Sequence, residues 1–234
     1  MTIWFVTPAW QRLELSEVCF DQRKHVIDTL AAKGIEARCV VIADDANLDL
    51  ARARGFDTVE SPNVVSDKFN DGMEYAGKHG ARWIVPIGSD SWIDPDYFLG
   101  LYEGTVRTGQ FYCHVTADRL GESRVRKAGG AGPYVFPRSV LERAGFRPAA
   151  AGLMSRVDSS TLKGLGPVEF RPFHRHPYQY VGFRVEPFIT SYESLMRLWG
   201  VREHKDPWGI LARHYPSELV ERARLVLTAE AVAA

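Results

Sequence analysis

The chain has 234 residues, 45% of them hydrophobic, and its 29 Lys and Arg residues are balanced by 29 Asp and Glu residues. Proteins that coat a nucleic acid usually carry a basic excess, so this neutral balance argues against a nucleic-acid partner. The sequence has no apolar stretch near the ~20 residues of a membrane helix and no signal peptide, and its three cysteines form no CxxC pair. We therefore expect a soluble cytoplasmic protein with free thiols and no membrane partner.

Strands and helices alternate over the first 90 residues. Residues 2–7 and 37–43 are runs of β-branched and aromatic residues that predict buried strands, and apolar positions between them recur at helical spacing up to Gly34. The same alternation continues with helices predicted at 47–54 and 67–79 and strands predicted at 57–60 and 83–87. This order indicates an α/β fold with a mostly parallel sheet covered by helices.

The second part of the chain has a different pattern. Residues 111–116 and 124–128 predict two strands with no helix between them, and a helix near 137–144 and a strand at 180–185 follow. We expect this α+β part to continue the first sheet and to belong to the same domain. Residues 217–234 predict an exposed terminal helix with a frayed end.

The turn after the first strand lacks the glycines of two common nucleotide-binding motifs. Residues 7–12 read Thr-Pro-Ala-Trp-Gln-Arg, and the chain contains no GxxxxGK[ST] segment. A dinucleotide-binding Rossmann turn and a P-loop both need glycines there, because the backbone must approach the phosphates closely. Both readings are excluded.

Asp90 directly follows a predicted buried strand, and ligands bind in such sheets beyond the carboxyl ends of the strands. A carboxylate at that edge can hold a hard cation, and Mg²⁺ held by one or two carboxylates usually completes its shell with substrate phosphates. The position therefore points to a nucleotide-diphosphate substrate. The structural alternative is that Asp90 caps a turn and Asp94 caps the next helix, which fully accounts for Asp94.

Four segments in order resemble the donor-binding half of a GT-A-fold glycosyltransferase, similar to family 2 and to short phage and bacterial members. They are the Thr-Pro pair at 7–8, VVIADD at 40–45, the segment with Lys68, Asn70 and Gly72, and GSDSWIDPDYF at 88–98. The resemblance covers residues 2–100 and continues more weakly to about residue 195. It implies a GT-A-like, mostly parallel central sheet, with residues 1–110 binding the donor, 111–200 binding the acceptor and carrying catalysis, and 201–234 helical.

The resemblance implies a donor site built from several loops. The turn after the first strand and the carboxylates after the second would hold the nucleoside. A lysine and an asparagine of the third segment would face the diphosphate and sugar, and a late arginine would neutralise the departing diphosphate. The implied donor residues are Thr7, Pro8, Arg12, Asp44, Asp45, Lys68, Asn70, Ser89 and Arg184.

The resemblance also implies a bound Mn²⁺ or Mg²⁺. Asp90 occupies the position of the last acid of the family's DxD motif, whereas Gly88 stands where the first acid would be. A late histidine often completes the metal shell in similar enzymes, and His174 and His176 are both candidates for that ligand.

The acceptor side is implied by two further segments. The glycine-rich stretch with Gly130, Gly132 and Tyr134 resembles a segment that shapes the sugar pocket, although it is equally consistent with a tight connection. Asp158 follows Val157 where family members carry an acidic catalytic base, and one carboxylate is sufficient for an inverting transfer. The alternative is that Asp158 caps a helix at 159–165.

The function implied is a metal-dependent glycosyltransferase that uses a nucleotide-sugar, with a UDP-sugar preferred and an inverting reaction favoured; a retaining reaction, which would not need Asp158 as a base, stays open. Its acceptor would be a protein, a glycan or a small molecule, the similarity to short phage enzymes suggesting a protein, and it would act in the host cytoplasm if it is phage-encoded. Residues 1–100 contain 10 Lys and Arg against 16 Asp and Glu, which suits a donor half that holds a cation. Two alternatives stay open: an inactive GT-A-like protein that binds a nucleotide-sugar or glycan, and a sugar-nucleotide pyrophosphorylase, which the glycine-free first turn disfavours.

Overall fold

The computed structural model describes residues 2–109, 111–118, 120–129, 133–154, 157–173, 175–185, 202–204 and 206–233. Its first part alternates between strands and helices as the sequence predicts, and the element ends fall within a few residues of the predicted ones. The elements are β1 (Thr2–Pro8), α1 (Leu13–Ala32), β2 (Glu36–Ala43), α2 (Asn47–Arg52), β3 (Asp57–Glu60), α3 (Val65–Lys78) and β4 (Trp83–Pro86).

The second part contains short strands that the sequence patterns did not predict, together with the predicted pair at β7 and β8. A 3₁₀ turn at Pro95–Phe98 follows β5. The elements are β5 (Ser91–Ile93), β6 (Thr105–Gly109), β7 (Phe111–Ala117), β8 (Ser123–Gly129), β9 (Tyr134–Pro137), α4 (Arg138–Glu142), α5 (Val157–Leu165), β10 (Glu169–Phe173), β11 (Tyr180–Val185), β12 (Arg202–His204), α6 (Pro207–Leu211) and α7 (Ser217–Ala233).

The main sheet has seven strands in the order β10-β6-β9-β4-β1-β2-β3. Strands β1 to β4 pair in parallel, and β9 runs antiparallel to both of its neighbours. Strand β1, between β4 and β2, is apolar on both faces, because Ile3 and Phe5 pack into one core cluster while Trp4 and Val6 pack into another. The expected α/β class with a mostly parallel sheet and flanking helices is confirmed.

A second sheet of five strands has the order β12-β8-β7-β11-β5. Strand β5 follows β4 after one short loop, so the chain passes from the first sheet to the second at residues 87–90. Helix α1 packs against both sheets: Phe20 and Val26 belong to the core of the first sheet, and Val18 and Cys19 belong to the core of the second. Helix α1 therefore joins the cores of the two sheets.

Helix α3 approaches β1 and β2 so closely that only glycine fits at one position. A Cβ atom on Gly72 would lie 2.4 Å from both Ile42 Cδ1 and Val6 Cγ1. This glycine belongs to the third segment of the family resemblance, and its role here is to let the helix that carries Lys68 pack on the sheet.

The expectation of an exposed, frayed terminal helix is wrong. One face of α7 is fully covered, with Ala223, Leu227 and Ala231 buried in the core of the second sheet. Its Arg222 also pairs with Asp21 of α1 at 2.7 Å. The Ala- and Val-rich composition reflects close packing against α1 rather than exposure.

Two smaller expectations, on Asp94 and on the cysteines, are confirmed. The Asp94 side chain accepts a hydrogen bond from the Asp96 backbone N–H at 2.8 Å, which is the helix-capping role the sequence favoured. The three cysteines are free and buried. Among the described helices, none has the length and apolar character that crossing a lipid bilayer requires.

Candidate functional site

A cleft of about 370 Å³ opens at the carboxyl ends of β1 and β4, where α1 and α3 begin. Its walls are the turn at 8–12, the start of α3 and the loop at 88–90, with Met154 at one side. The position agrees with the rule that ligands bind at the carboxyl edge of parallel strands. Five residues that the sequence analysis assigned to the donor or metal site line this one cleft: Pro8, Arg12, Lys68, Ser89 and Asp90.

The turn before α1 holds two consecutive residues in the left-handed conformation. Gln11 has φ 52° and Arg12 has φ 45° and ψ 46°, which costs an L-residue about 1–2 kcal/mol each. Asp45 stabilises the turn: one carboxylate oxygen accepts the Gln11 N–H at 2.7 Å, and the other accepts the backbone and side-chain N–H groups of Asn47 at 2.9 and 2.7 Å. The Asn47 amide also donates to the Gln11 carbonyl at 3.1 Å.

These contacts alter the acidity of Asp45. Burial on its own raises the pKa of this carboxyl, but the hydrogen bonds from Gln11 and Asn47 outweigh burial and lower the pKa below its ordinary value. Asp45 is therefore a charged support for the turn that presents Arg12 to the cleft.

Lys68 links three segments beneath the cleft. Its side chain is only 2% exposed, and its ammonium donates to the Ala9 carbonyl at 2.9 Å, to Asp44 Oδ1 at 3.1 Å and to Asn63 Oδ1 at 3.3 Å. An ammonium has three N–H donors, so all of them are used within the protein. The structure places Asp44 as the ion-pair partner of this lysine.

Asp90 lies among arginines. Its Oδ2 atom contacts Nη1 of Arg184 and lies 3.7 Å from Nη1 of Arg12, while its Oδ1 atom accepts the Ser91 hydroxyl at 3.0 Å. Strand β11 brings Arg184 to this place, because the Phe183 N–H donates to the Asp90 carbonyl at 2.8 Å.

Arg12 has a second carboxylate partner from the far end of the chain. Its Nε and Nη2 atoms donate to Glu230 Oε2 of α7 at 3.1 and 2.7 Å. Two of its nitrogens are therefore held by α7, and the third points at Asp90. The side chain stays 34% exposed at the cleft.

The expected metal site of Asp90 and a histidine does not fit these residues. Gly88 supplies no carboxylate, and a Cβ atom there would lie 2.8 Å from Asp90 Oδ1. The Asp90 carboxylate is engaged by two guanidinium groups. Within the described part of the chain, no three His, Cys, Asp or Glu residues are grouped so that they can hold a metal ion.

The structure brings His176 to Asp94 and not to Asp90. The His176 Nε2 atom lies 2.7 Å from Asp94 Oδ2, and its ring stacks on His214 with a centroid distance of 4.1 Å. Asp90 and Asp94 lie at opposite ends of β5, four residues or about 13 Å apart, so they do not share an ion with one histidine. His174, the other candidate, lies outside the described residues.

Two other predicted donor residues lie behind the cleft wall. Thr7 is fully buried, and its hydroxyl contacts the Cys39 sulfur at 3.7 Å. Asn70 is 2% exposed and uses its amide on the Ala149 backbone, donating to the carbonyl at 2.9 Å and accepting from the N–H at 3.1 Å. It fastens the segment at 149–154 to α3.

Tyr134 and Asp158 lie close enough to interact electrostatically. Burial, with the Asp158 charge as a second cause, raises the pKa of Tyr134 to about 12. Asp158 lies in the first turn of α5; its outer surface is exposed, yet the protein around its carboxyl raises the pKa by desolvation. It follows Met154 of the cleft wall by four residues, so their Cα atoms are at most about 14 Å apart. Gly130 and Gly132 lie outside the described residues.

Sequence reasoning missed two supporting residues. Asn47 had a local signal, since Asp and Asn after a strand often stabilise a turn. Glu230 had none, because it is 218 residues away from Arg12 in the chain. Trp10, an aromatic residue of the turn that could stack on a base or a sugar, lines the cleft and is 49% exposed.

Solved structures of S. aureus TarS share this fold. TarS 1-349 in complex with UDP-GlcNAc has a TM-score of 0.60 at 13% identity, over 82% of this chain and 62% of that chain. TarS 1-349 has a TM-score of 0.58 at 10% identity, over 78% and 60%, and its complex with UDP has 0.56 at 11%, over 79% and 61%. This chain thus spans about three-fifths of those structures. No protein-family model and no curated protein sequence matches it. Sheet order and structural similarity together show a GT-A-like α/β fold.

Proposed function

We propose that this protein is a glycosyltransferase that moves a sugar from a nucleotide-sugar donor to an acceptor hydroxyl. The observation that carries the proposal is the cleft at the carboxyl ends of β1 and β4, lined by Arg12 and Asp90 and adjoined by Arg184. Helices α1 and α3 begin at this cleft, and the positive ends of helix dipoles favour phosphate. A structure of TarS, which shares the fold, contains UDP-GlcNAc, and this supports a UDP-sugar as the donor.

In the proposed reaction the acceptor oxygen attacks the anomeric carbon as the bond from that carbon to the phosphate oxygen breaks. The electron pair of the broken bond leaves with the nucleoside diphosphate. Arg12 and Arg184 stabilise the negative charge that develops there, because fixed cations in a partly enclosed cleft need no reorganisation during the reaction. Trp10 offers an exposed aromatic face in the same cleft for the donor.

Asp158 is the proposed base that takes the acceptor proton. Desolvation raises the pKa of its carboxyl, which strengthens it as a base. A direct displacement with this base on the acceptor side inverts the anomeric centre. The electrostatic interaction between Asp158 and Tyr134 supports this role, because Tyr134 belongs to the segment that resembles the family's sugar pocket.

Calorimetry with UDP, GDP and TDP, followed by a donor-hydrolysis assay with the matching sugar nucleotides, tests the proposal. We expect one nucleotide class to bind and its sugar donor to be hydrolysed slowly, with water as the acceptor. Binding without hydrolysis or transfer would instead favour a protein that only binds nucleotide-sugars. Absence of binding to all three nucleotides would refute the proposed function.

Asp158→Asn separates binding from chemistry. Nucleotide binding is expected to persist, while hydrolysis falls by about 10²- to 10⁴-fold, the usual contribution of a general base. Asp28→Asn, at an exposed ion pair with Lys24, is the matched control and should leave hydrolysis unchanged. Unaltered hydrolysis in Asp158→Asn would remove this residue from the mechanism.

A further inference from the structure

Two arginines occupy the place where the family resemblance puts a divalent cation. Arg12 and Arg184 each direct an Nη1 atom at the same Oδ2 atom of Asp90, the expected metal carboxylate. The geometry points to a diphosphate subsite that works without a divalent cation, in which these two guanidinium groups bind the donor phosphates directly. This inference rests on the proposed function and names the chemistry of its donor site.

The surroundings of Asp90 are unsuited to a metal ion. Mg²⁺ and Mn²⁺ need several oxygen ligands, but the position two residues earlier is Gly88, and Asp90 Oδ1 already accepts the Ser91 hydroxyl. An ion on Oδ2 would have to displace two guanidinium groups and then remain close to both. Like charges repel strongly in a partly enclosed site, so the arginines and a divalent cation exclude one another.

The same surroundings are suited to phosphate. A guanidinium presents its N–H donors as a planar fork that matches phosphate oxygens, and both side chains are accessible, with 34% of Arg12 and 25% of Arg184 exposed. Glu230 fixes the orientation of Arg12 through Nε and Nη2. Lys68 does not supply this charge, since its three donors are used within the protein.

Asp90 therefore acts as an internal anion that holds the two arginines together before the donor binds. It competes with the donor phosphates for the same guanidinium groups. The two kinds of site predict opposite effects of an Asp90 substitution on nucleotide affinity. Removing the Asp90 charge weakens binding if Asp90 holds a metal ion, but strengthens binding if Asp90 competes with the donor phosphates for the arginines.

Calorimetric titration of the full chain with UDP, GDP and TDP, in excess EDTA and again in MnCl₂, tests the inference. We expect the nucleotide that binds to have the same affinity in both buffers. Arg12→Gln and Arg184→Gln should each weaken binding by about 10- to 100-fold, the usual effect of losing a charged hydrogen bond. Asp90→Asn should tighten binding about fivefold, the size expected for removing one partly exposed competing charge. Arg224→Gln, at an exposed pair on α7, is the matched control.

Binding that requires Mn²⁺, or loss of binding in Asp90→Asn, overturns the inference and leaves the proposed function in place. Absence of nucleotide binding in both buffers overturns the inference and the proposed function together. Thermal unfolding identifies a variant that fails to fold. If Arg184→Gln fails to fold, Arg184→Lys is used instead, because lysine keeps the positive charge but lacks the planar pair of N–H donors. This variant should bind nucleotide more weakly than the unsubstituted protein in EDTA.

Discussion

Asp45→Ala tests whether the strained turn before α1 positions Arg12. The substitution removes a charged acceptor from the Gln11 N–H at 2.7 Å and from the Asn47 backbone N–H at 2.9 Å. A hydrogen bond to a charged group contributes about 1.5–3 kcal/mol, and relaxation of the two left-handed residues returns part of this. We expect a net loss of about 2–3 kcal/mol in the free energy of unfolding at neutral pH, measured by urea denaturation.

The pH dependence of this loss follows from the acidity of Asp45. Burial opposes the shift, but the hydrogen bonds from Gln11 and Asn47 lower the folded pKa below the unfolded value of about 3.9. A carboxyl with a lowered folded pKa stabilises the protein above its unfolded pKa, and the effect is lost as pH falls through the folded pKa. The gap between the two proteins should be constant at neutral pH and close in acid.

The functional effect is expected in nucleotide binding. Once the turn relaxes, Arg12 no longer keeps a fixed direction toward the cleft, and UDP affinity measured by calorimetry should fall by about tenfold, as for one weakened charged contact. Asp49→Ala on α2, where the carboxylate pairs only with exposed Arg52, is the control and should change neither quantity. If Asp45→Ala lowers stability and leaves affinity intact, the turn does not position Arg12 and the reasoning fails.

Three further substitutions test packing and charge. Gly72→Ala should cost about 1–3 kcal/mol in urea denaturation, since its Cβ would overlap Ile42 and Val6; a neutral effect would contradict the close approach of α3. Leu227→Ala should cost about 2–5 kcal/mol, whereas Val232→Ala, at a 64% exposed position, should cost little; equal effects would contradict the buried face of α7. Asp158→Asn should raise the unfolding temperature at pH 7 and not in strong acid. The pKa of the Asp158 carboxyl is raised in the folded protein, so the stability that is present below its unfolded pKa is lost as pH rises through its folded pKa, and asparagine avoids this loss.

The first part of the fold was predictable because its signals are local. Strands β1, β2 and β4 are short apolar runs, α1 has apolar residues at helical spacing, and Gly34 and Gly80 follow the ends of α1 and α3 with φ of 73° and 81°. Parallel strands joined by helices also have few alternative arrangements. The rule for strand ends and the family resemblance together identified five of the fourteen residues that line the cleft, without knowledge of any distant contact.

The second part was harder to predict because its strands are short and pair over long distances. Strand β9 has four residues and inserts between β4 and β6, so no periodicity distinguishes it from the start of the predicted helix. The register of β5 on β11 decides which residues meet: it brings Arg184 to Asp90 and His176 to Asp94. The four residues of these two pairs are visible in the sequence, but no sequence pattern indicates the register that brings them together.

The charges around the cleft have a consequence for what it can bind. Glu230, Arg12, Asp90 and Arg184 form a row in which the signs alternate and the four charges sum to zero. A divalent cation would add two positive charges to this row, and position 88 supplies no further carboxylate to balance them. A diphosphate, in contrast, can replace Asp90 as the partner of the two arginines. Both arginines are accessible from the cleft, with 34% of the Arg12 side chain and 25% of the Arg184 side chain exposed, so an anionic ligand can reach them and take the place of Asp90.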